Sequence, residues 1–284
     1  MAVVALRATP VIAPIDETLS LDPAALRRCL SRRTKAIIAI HMRGQPCDMQ
    51  AILTEARQRG IPVIEDGAQC LGGRIGGRPV GAMGDVSIFS FQVHKVVTAG
   101  EGGELLTNDR SIFQRALQFH DLGMRRRAGR PNPRGRAAIR SFGLNYRLSE
   151  LQAAVLLAQL RKLPNILAAL RRNDEAARAA LEPACMAWGL RLRPVPRAAT
   201  RNHAFLCLQA GDAASARRAA AALARQDVPV ELCSTPDAHH FDAWLRWLGS
   251  VRYPYRVIAS AQSRAWLAKT LAIEVAPSAR MAAR

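Results

Sequence analysis

From residue 9 to residue 119 the chain alternates short apolar runs with stretches whose apolar residues recur on a helical period. That alternation limits its possible folds more than any other feature. "TPVIAPI" reads as a strand, followed by "DPAALRRCL" as a helix with Asp22 at its N-cap and Pro23 at its first position. "KAIIAIHM" reads as a buried strand, and "DMQAILTEARQRG" as a helix opened by Asp48 and closed by Gly60. "IPVIED", "DVSIFSF" and "GELLTND" are further strands, and "SIFQRALQF" a further helix. Strands alternating with helices imply an α/β fold, mainly a parallel sheet with helices on both faces. Ligands of such sheets bind beyond the carboxyl ends of the strands. From Leu148 the texture changes. "LSELQAAVLLAQLRKL" is helical, with Ser149 or Asn145 available as cap, and Pro164 is expected to kink or end it before "NILAALRRNDEAARAALE" resumes. "HAFLCLQA", "AASARRAAAALARQ" and "VPVELC" then give strand, helix, strand. The expected organisation is a large domain over residues 1–160 and a smaller α+β domain over 161–284.

The chain's 284 residues, 49% apolar and 22% charged, suit a globular protein. No apolar run approaches the roughly 20 residues a membrane span needs. "MAVVALRATPVIAPID" lacks a basic segment ahead of its apolar part, so it reads as a strand opening a domain, and a cytoplasmic protein without a membrane partner is expected. Six scattered cysteines, with no CxxC and no histidine at zinc-ligand spacing, predict buried reduced thiols, not a disulfide frame or a metal site. The adjacent pair His239-His240 points its side chains apart and predicts no metal either. The net charge of +19 raises nucleic-acid binding. The excess, however, is nearly all arginine spread along the chain, apart from "RRRAGRPNPRGRAAIR" at 125–140 with its seven arginines. That run holds no aromatic residue for base stacking, so a solvated loop, or one that attracts an anionic substrate, fits it better than a single-strand binder.

Two residues stand at predicted strand ends. Asp66 closes "IPVIED", and Lys95 follows "DVSIFSF" just before the turn "TAGEGG". The chain has four lysines among forty-one basic residues. Lys95 is either a solvated strand-end side chain or a residue whose chemistry arginine cannot perform. An amine that bonds to a carbonyl carbon must lose its proton first, and a guanidinium does not.

"IPVIEDGAQCLGG", "SIFSFQVHKVVTAGEGG" and "FGLNYRLSELQAAVLLAQL", in this order and spacing, resemble the DegT/DnrJ/EryC1/StrS family of pyridoxal-phosphate aminotransferases, the amino-sugar and aminocyclitol branch of fold type I. "KAIIAIHMRGQPCDM" is similar to the strand and turn that precede the family's aspartate motif. The resemblance implies a role for each matching residue. Asp66 would sit beside the pyridine nitrogen of pyridoxal 5'-phosphate, where opposite charge keeps that nitrogen protonated. Gln69 would contact the cofactor, and Ser90 would hydrogen-bond its phosphate. Lys95 would carry the covalent link and move a proton as general acid and base. Asn145, in "NYR", would reach the phosphate of the neighbouring subunit's cofactor, which implies a homodimer with shared active sites. Gly100, Gly102 and Gly103 would let backbone pass close to the interface or a ligand.

The implied reaction moves an amino group from an amino-acid donor, glutamate or glutamine, to a keto- or aldehyde-sugar. "SFQ" before the lysine and "FHDLG" at 119–123 are similar to branches acting on cyclitol ketones, eight-carbon acidic sugars and nucleotide-linked hexoses alike. The resemblance also implies a family region ahead of "ALRATPVIAPIDETLSLD" that nothing in this sequence matches, including a phosphate-binding turn at a helix N-terminus. The expectation is an enzyme truncated at its N-terminus, with apolar sheet surface left open. The alternatives are an inactive remnant that keeps the dimer surface and, on charge alone, a basic nucleic-acid-binding protein.

Overall fold

The computed structural model describes residues 2–124, 126–127, 130–131, 141–235, 241–259 and 261–277. The arginine-rich run 125–140 lies outside the described residues except for the backbone of 126–127 and 130–131, and His239-His240 lies outside them altogether.

The first half is built as the alternation predicts. Helix α1 (Pro23–Cys29) starts where the Asp22 side chain accepts from the Ala24 N–H and Pro23 needs no partner. Strand β1 (Ile37–Ile40) leads to α2 (Met49–Arg57), capped by Asp48, whose side chain accepts from the Ala51 N–H. Then follow β2 (Val63–Asp66), β3 (Val86–Ser90), β4 (Gly103–Leu106) and helix α3 (Arg110–His120). These strands form one sheet in the order β1-β2-β3-β4, with β1, β2 and β3 parallel and β4 antiparallel at the edge.

Alternation along the strands gives the sheet two different faces. Ile37, Ala39 and Val63 point into a core closed by Leu26 of α1 and Ile52, Leu53 and Ala56 of α2. On the other face Ile38, Ile40, Ile88 and Leu105 are 42%, 44%, 36% and 39% exposed. Helix α3 buries none of its residues. Helices α1 and α2 thus cover the first face, and the second is open at these four apolar residues.

Helix α4 (Glu150–Trp188) is the longest element. Ser149 and Gln152 form a capping box at its start, and Gly189, at φ 58°, ends it. Contrary to expectation, Pro164 neither ends nor divides it, and residue 160 lies inside it. Packing on both sides of the proline outweighs the lost hydrogen bond. Leu156, Leu160 and Leu163 pack against Cys70, Phe89 and Phe91, while Leu167 and Leu170 reach the second core. This helix is long and apolar enough to cross a membrane by length and composition, but those leucines face protein.

The second half centres on β5 (Phe205–Gln209), helix α5 (Ala213–Ala224), β6 (Glu231–Leu232) and β7 (Thr270–Glu274). Strand β7 lies between β5 and β6, both antiparallel to it, and the short strand Arg191–Leu192 extends the sheet beyond β5. Leu206, Leu208, Leu271 and Ile273 pack against Ala216, Ala219 and Leu223 of α5. The opening "TPVIAPI" does not begin the first sheet. Its Val11–Ile12 pairs in parallel with Arg256–Val257, and Leu19 packs with Cys207, Cys233 and Ala272. The cysteines are free thiols; five are buried, as their scatter predicts, and Cys185 is half-buried.

Candidate active site

Glu65 and Asp66 end β2, and the strand sends them to opposite faces. Asp66 is half-buried on the open face. Its Oδ1 accepts from the Ala68 N–H at 3.0 Å, and its carbonyl accepts from the His41 N–H at 3.0 Å. Glu65 is fully buried on the other side. Its carboxylate faces His41 Nε2 at 3.1 Å and accepts from the backbone N–H groups of Gly81, Met83 and Gly84. Burial alone pushes this carboxyl up, but His41 and the three backbone donors outweigh it and hold Glu65 at about 2. Burial likewise opposes charge on the His41 ring, while contacts with Cys47 and Glu65 draw its pKa up. The Cys47 N–H, however, is donated into Nδ1 at 2.9 Å. A second ring proton there would set two N–H groups against each other, so the geometry holds the neutral ring with its proton on Nε2, facing Glu65.

Strand β3 pairs with β2 so that Ile88 lies opposite Asp66, and Ser90 follows two residues later on the same face. The Ser90 hydroxyl oxygen accepts from the Gln92 N–H at 3.4 Å. Lys95 is half-buried in the next turn, where its N–H donates to the Gln92 carbonyl at 2.9 Å. That loop is closed on itself: the Ala99 N–H donates to Phe91 O at 3.0 Å, and the Phe91 N–H to Gly102 O at 2.9 Å. Phe91, 1% exposed, anchors it, and Gly100, at φ 82°, takes a conformation open to glycine.

Gln69 lies in the turn after β2, and its Oε1 accepts the Arg43 N–H at 2.8 Å. Arg43 is itself left-handed, at φ 53°. Its guanidinium grips Glu231 through two bonds of 2.9 and 2.7 Å and lies 5.2 Å from the Phe205 ring centre. Arg193 donates to the carbonyls of Met42 and Arg43 at 3.2 and 3.0 Å. The turn after β1 therefore docks onto the second half of the chain beside Gln69.

Asp66, Gln69, Ser90 and Lys95 thus lie at the carboxyl ends of two adjacent parallel strands. Asn145 makes no hydrogen bond to any of the four among the described residues. It is exposed, its Oδ1 accepts from Arg147 Nε at 3.1 Å, and its backbone bridges to Asp121. Arg147 also donates to the buried Asp121 carboxylate at 3.2 Å.

Residues 1–260 match the DegT/DnrJ/EryC1/StrS aminotransferase family. The chain belongs to that family. It is 40% identical over 166 residues to the GDP-perosamine synthase of Caulobacter vibrioides, a match that takes in 58% of this chain and 43% of that protein. It is also 40% identical over 177 residues to an L-glutamine:2-deoxy-scyllo-inosose aminotransferase of Streptoalloteichus tenebrarius, over 61% and 42% of the two chains. The chain therefore spans about two fifths of the length of these curated relatives. An aminotransferase from Psychrobacter cryohalolentis, solved by X-ray methods, superposes with a TM-score of 0.82 at 26% identity, over 97% of this chain and 72% of that one.

Within this DegT/DnrJ/EryC1/StrS chain, sequence reading alone did not single out Glu65, His41, Arg43, Arg193 or Glu231. For Glu65 a signal was present: a strand ending in two carboxylates must send one of them inward, where it needs donors. Glu231 and Arg193, which bond Arg43, lie 188 and 150 residues away from it in the chain, and no local pattern announces them.

Proposed function

We propose that this chain carries the active-site half of a pyridoxal-phosphate-dependent aminotransferase acting on a sugar or cyclitol carbonyl. The observation that supports this reading is that, in a member of this family, Asp66 and Ser90 end the adjacent parallel strands β2 and β3, and Gln69 and Lys95 follow in the turns just beyond. The donor set suits the cofactor. The second carboxylate oxygen of Asp66 has no hydrogen bond among the described residues, and it would face a protonated ring nitrogen. The Ser90 hydroxyl accepts one bond and keeps its own proton to give, which suits a phosphate oxygen. The Lys95 amine has no acidic partner among the described residues and is free to bond the cofactor. When bound, the cofactor supplies an electron sink that lets a proton leave the carbon bearing nitrogen.

In this reading Lys95 Nζ takes the proton from the α-carbon of the amino-acid donor and delivers one to the acceptor carbon. Asp66 holds the ring proton throughout, and Ser90 and Gln69 orient. The donor, glutamate or glutamine, leaves as its 2-oxo acid while the acceptor carbonyl becomes an amine, so no outside oxidant or reductant is needed. The acceptor class, a nucleotide-linked sugar, acidic sugar or cyclitol, follows the names of the relatives. Asn145, exposed and with no hydrogen bond to the other four among the described residues, suits a residue that serves a second subunit, and a homodimer is part of the proposal.

The test is to purify the chain with pyridoxal phosphate, reduce with borohydride and map the modified residue. A covalent adduct on Lys95, absent from Lys95→Ala, is the expected result. Folded protein with no adduct at Lys95 would overturn the reading and leave an inactive remnant as the better account.

A further inference from the structure

Gln69 is held from two directions by groups that lie far from it in the chain. The backbone amide of Arg43 donates to its side-chain Oε1 at 2.8 Å. Of the two ends of a glutamine amide only the oxygen accepts an N–H, so the orientation of the Gln69 amide is set and its NH2 is the end left to donate. The Gln69 main chain is held by Asn202. Asn202 Nδ2 donates to the carbonyls of Gln69 and Leu71 at 3.1 and 3.2 Å. Its Oδ1 accepts from the Ala204 N–H at 3.0 Å, and its own N–H donates to the Gly44 carbonyl at 3.0 Å. At 1% exposure, Asn202 spends its hydrogen bonds joining three segments: the turn after β1, the turn after β2, and the entry to β5.

The backbone around this junction is strained. Arg43 and His203 are left-handed at φ 53° and 64°, which non-glycine residues adopt only where their surroundings enforce it. His203 is pinned by Nδ1 against the buried Asp174 carboxylate at 2.9 Å. Gly44, at φ 72°, has no room for a side chain, because a Cβ would collide with Asn202 Oδ1. These are costs for placing one amide.

We propose that Asn202 and the Arg43 backbone amide are positioning groups that fix Gln69 as a hydrogen-bond donor toward the cofactor, an inference that rests on the pyridoxal-phosphate reading above. Neither group touches the cofactor itself; both act through Gln69. A glutamine side chain free to rotate would present oxygen as readily as nitrogen and would lose freedom on binding, and the bracket removes both penalties beforehand.

The experiment combines a measurement without cofactor and one with it. In 15N-labelled protein, the Gln69 side-chain NH2 resonance, assigned by its loss in Gln69→Ala, is followed in wild type and Asn202→Ala. Pyridoxal phosphate alone is then titrated by absorbance into wild type, Asn202→Ala, Gln69→Ala and the double variant. The resonance is expected to shift in Asn202→Ala. Affinity is expected to fall roughly tenfold in each single variant, the usual scale for losing an outer partner of a binding group, and no further in the double variant. Independent losses that multiply in the double variant, or an unmoved Gln69 resonance, would overturn the proposal. Gln69→Glu decides the matter if Asn202→Ala does not fold. It keeps an oxygen for the Arg43 N–H but has no proton to give, so it should bind as weakly as Gln69→Ala, and wild-type affinity there would also overturn the bracket. Absence of any Lys95 adduct in wild type would instead remove the cofactor reading, while the resonance still reports whether Asn202 orients Gln69.

Discussion

A strand sends consecutive side chains to opposite faces, so the adjacent carboxylates of β2 meet opposite environments. Asp66 keeps one oxygen uncommitted, and Glu65 is saturated by His41 and three backbone donors. Lowering a buried carboxyl from 4.5 to about 2 corresponds to about 3 kcal/mol in favour of the folded state. Because the folded value lies below the unfolded one, that stability is fully present above pH 4.5 and is lost as the pH falls toward 2. Glu65→Gln is therefore expected to cost about 2–3 kcal/mol in chemical denaturation at pH 7, the amide still satisfying some of the donors. The gap between variant and wild type should close as the pH drops below 4.5. A gap that stays constant across that range would show the carboxylate charge to be irrelevant. Asp66 and Lys95 were visible in the sequence because they sit in motifs that resemble those of the family. The sequence left Glu65 and Asn202 unmarked because their value comes from partners that only folding delivers.

At the scale of elements, local signals were legible where they were covalent or adjacent. Asp22 with Pro23, Asp48 and Ser149 all start the helices their chemistry favours. Pro164 does not end its helix for the opposite reason, since leucines on both sides of it anchor α4 to two cores and carry the helix through a position where local rules favour a stop. That arrangement leaves a cost in place, and Pro164 is exposed, so its ring fills no cavity. Pro164→Ala should restore a helical N–H and raise stability by about 1–3 kcal/mol, seen as a higher Tm. An unchanged or lower Tm would mean that the helix is shaped around the proline. "TPVIAPI" shows the remaining limit. Its apolar pattern announced a strand, but not that Val11 would pair with Arg256 in place of β1.

At the scale of the whole molecule, the four-stranded sheet shows one closed face and one open face, and the open one is apolar. Ile38, Ile40, Ile88 and Leu105 form a patch of the kind that soluble chains cover or associate through. Replacing Ile38 and Leu105 together by Glu should at least halve the binding of an apolar dye and reduce concentration-dependent association in sedimentation, with folding preserved. Unchanged dye binding would show that the face is not a sticky surface in solution. The pairing of Val11–Ile12 with Arg256–Val257 carries a different consequence, one of timing. At synthesis rates of about 5–20 residues per second, the ribosome delivers the second strand roughly 12 to 50 seconds after the first. Through that interval Leu19 also waits for Cys207, Cys233 and Ala272, so the segment from Val11 to Leu19 remains available to chaperones long after β1 to β4 have been made.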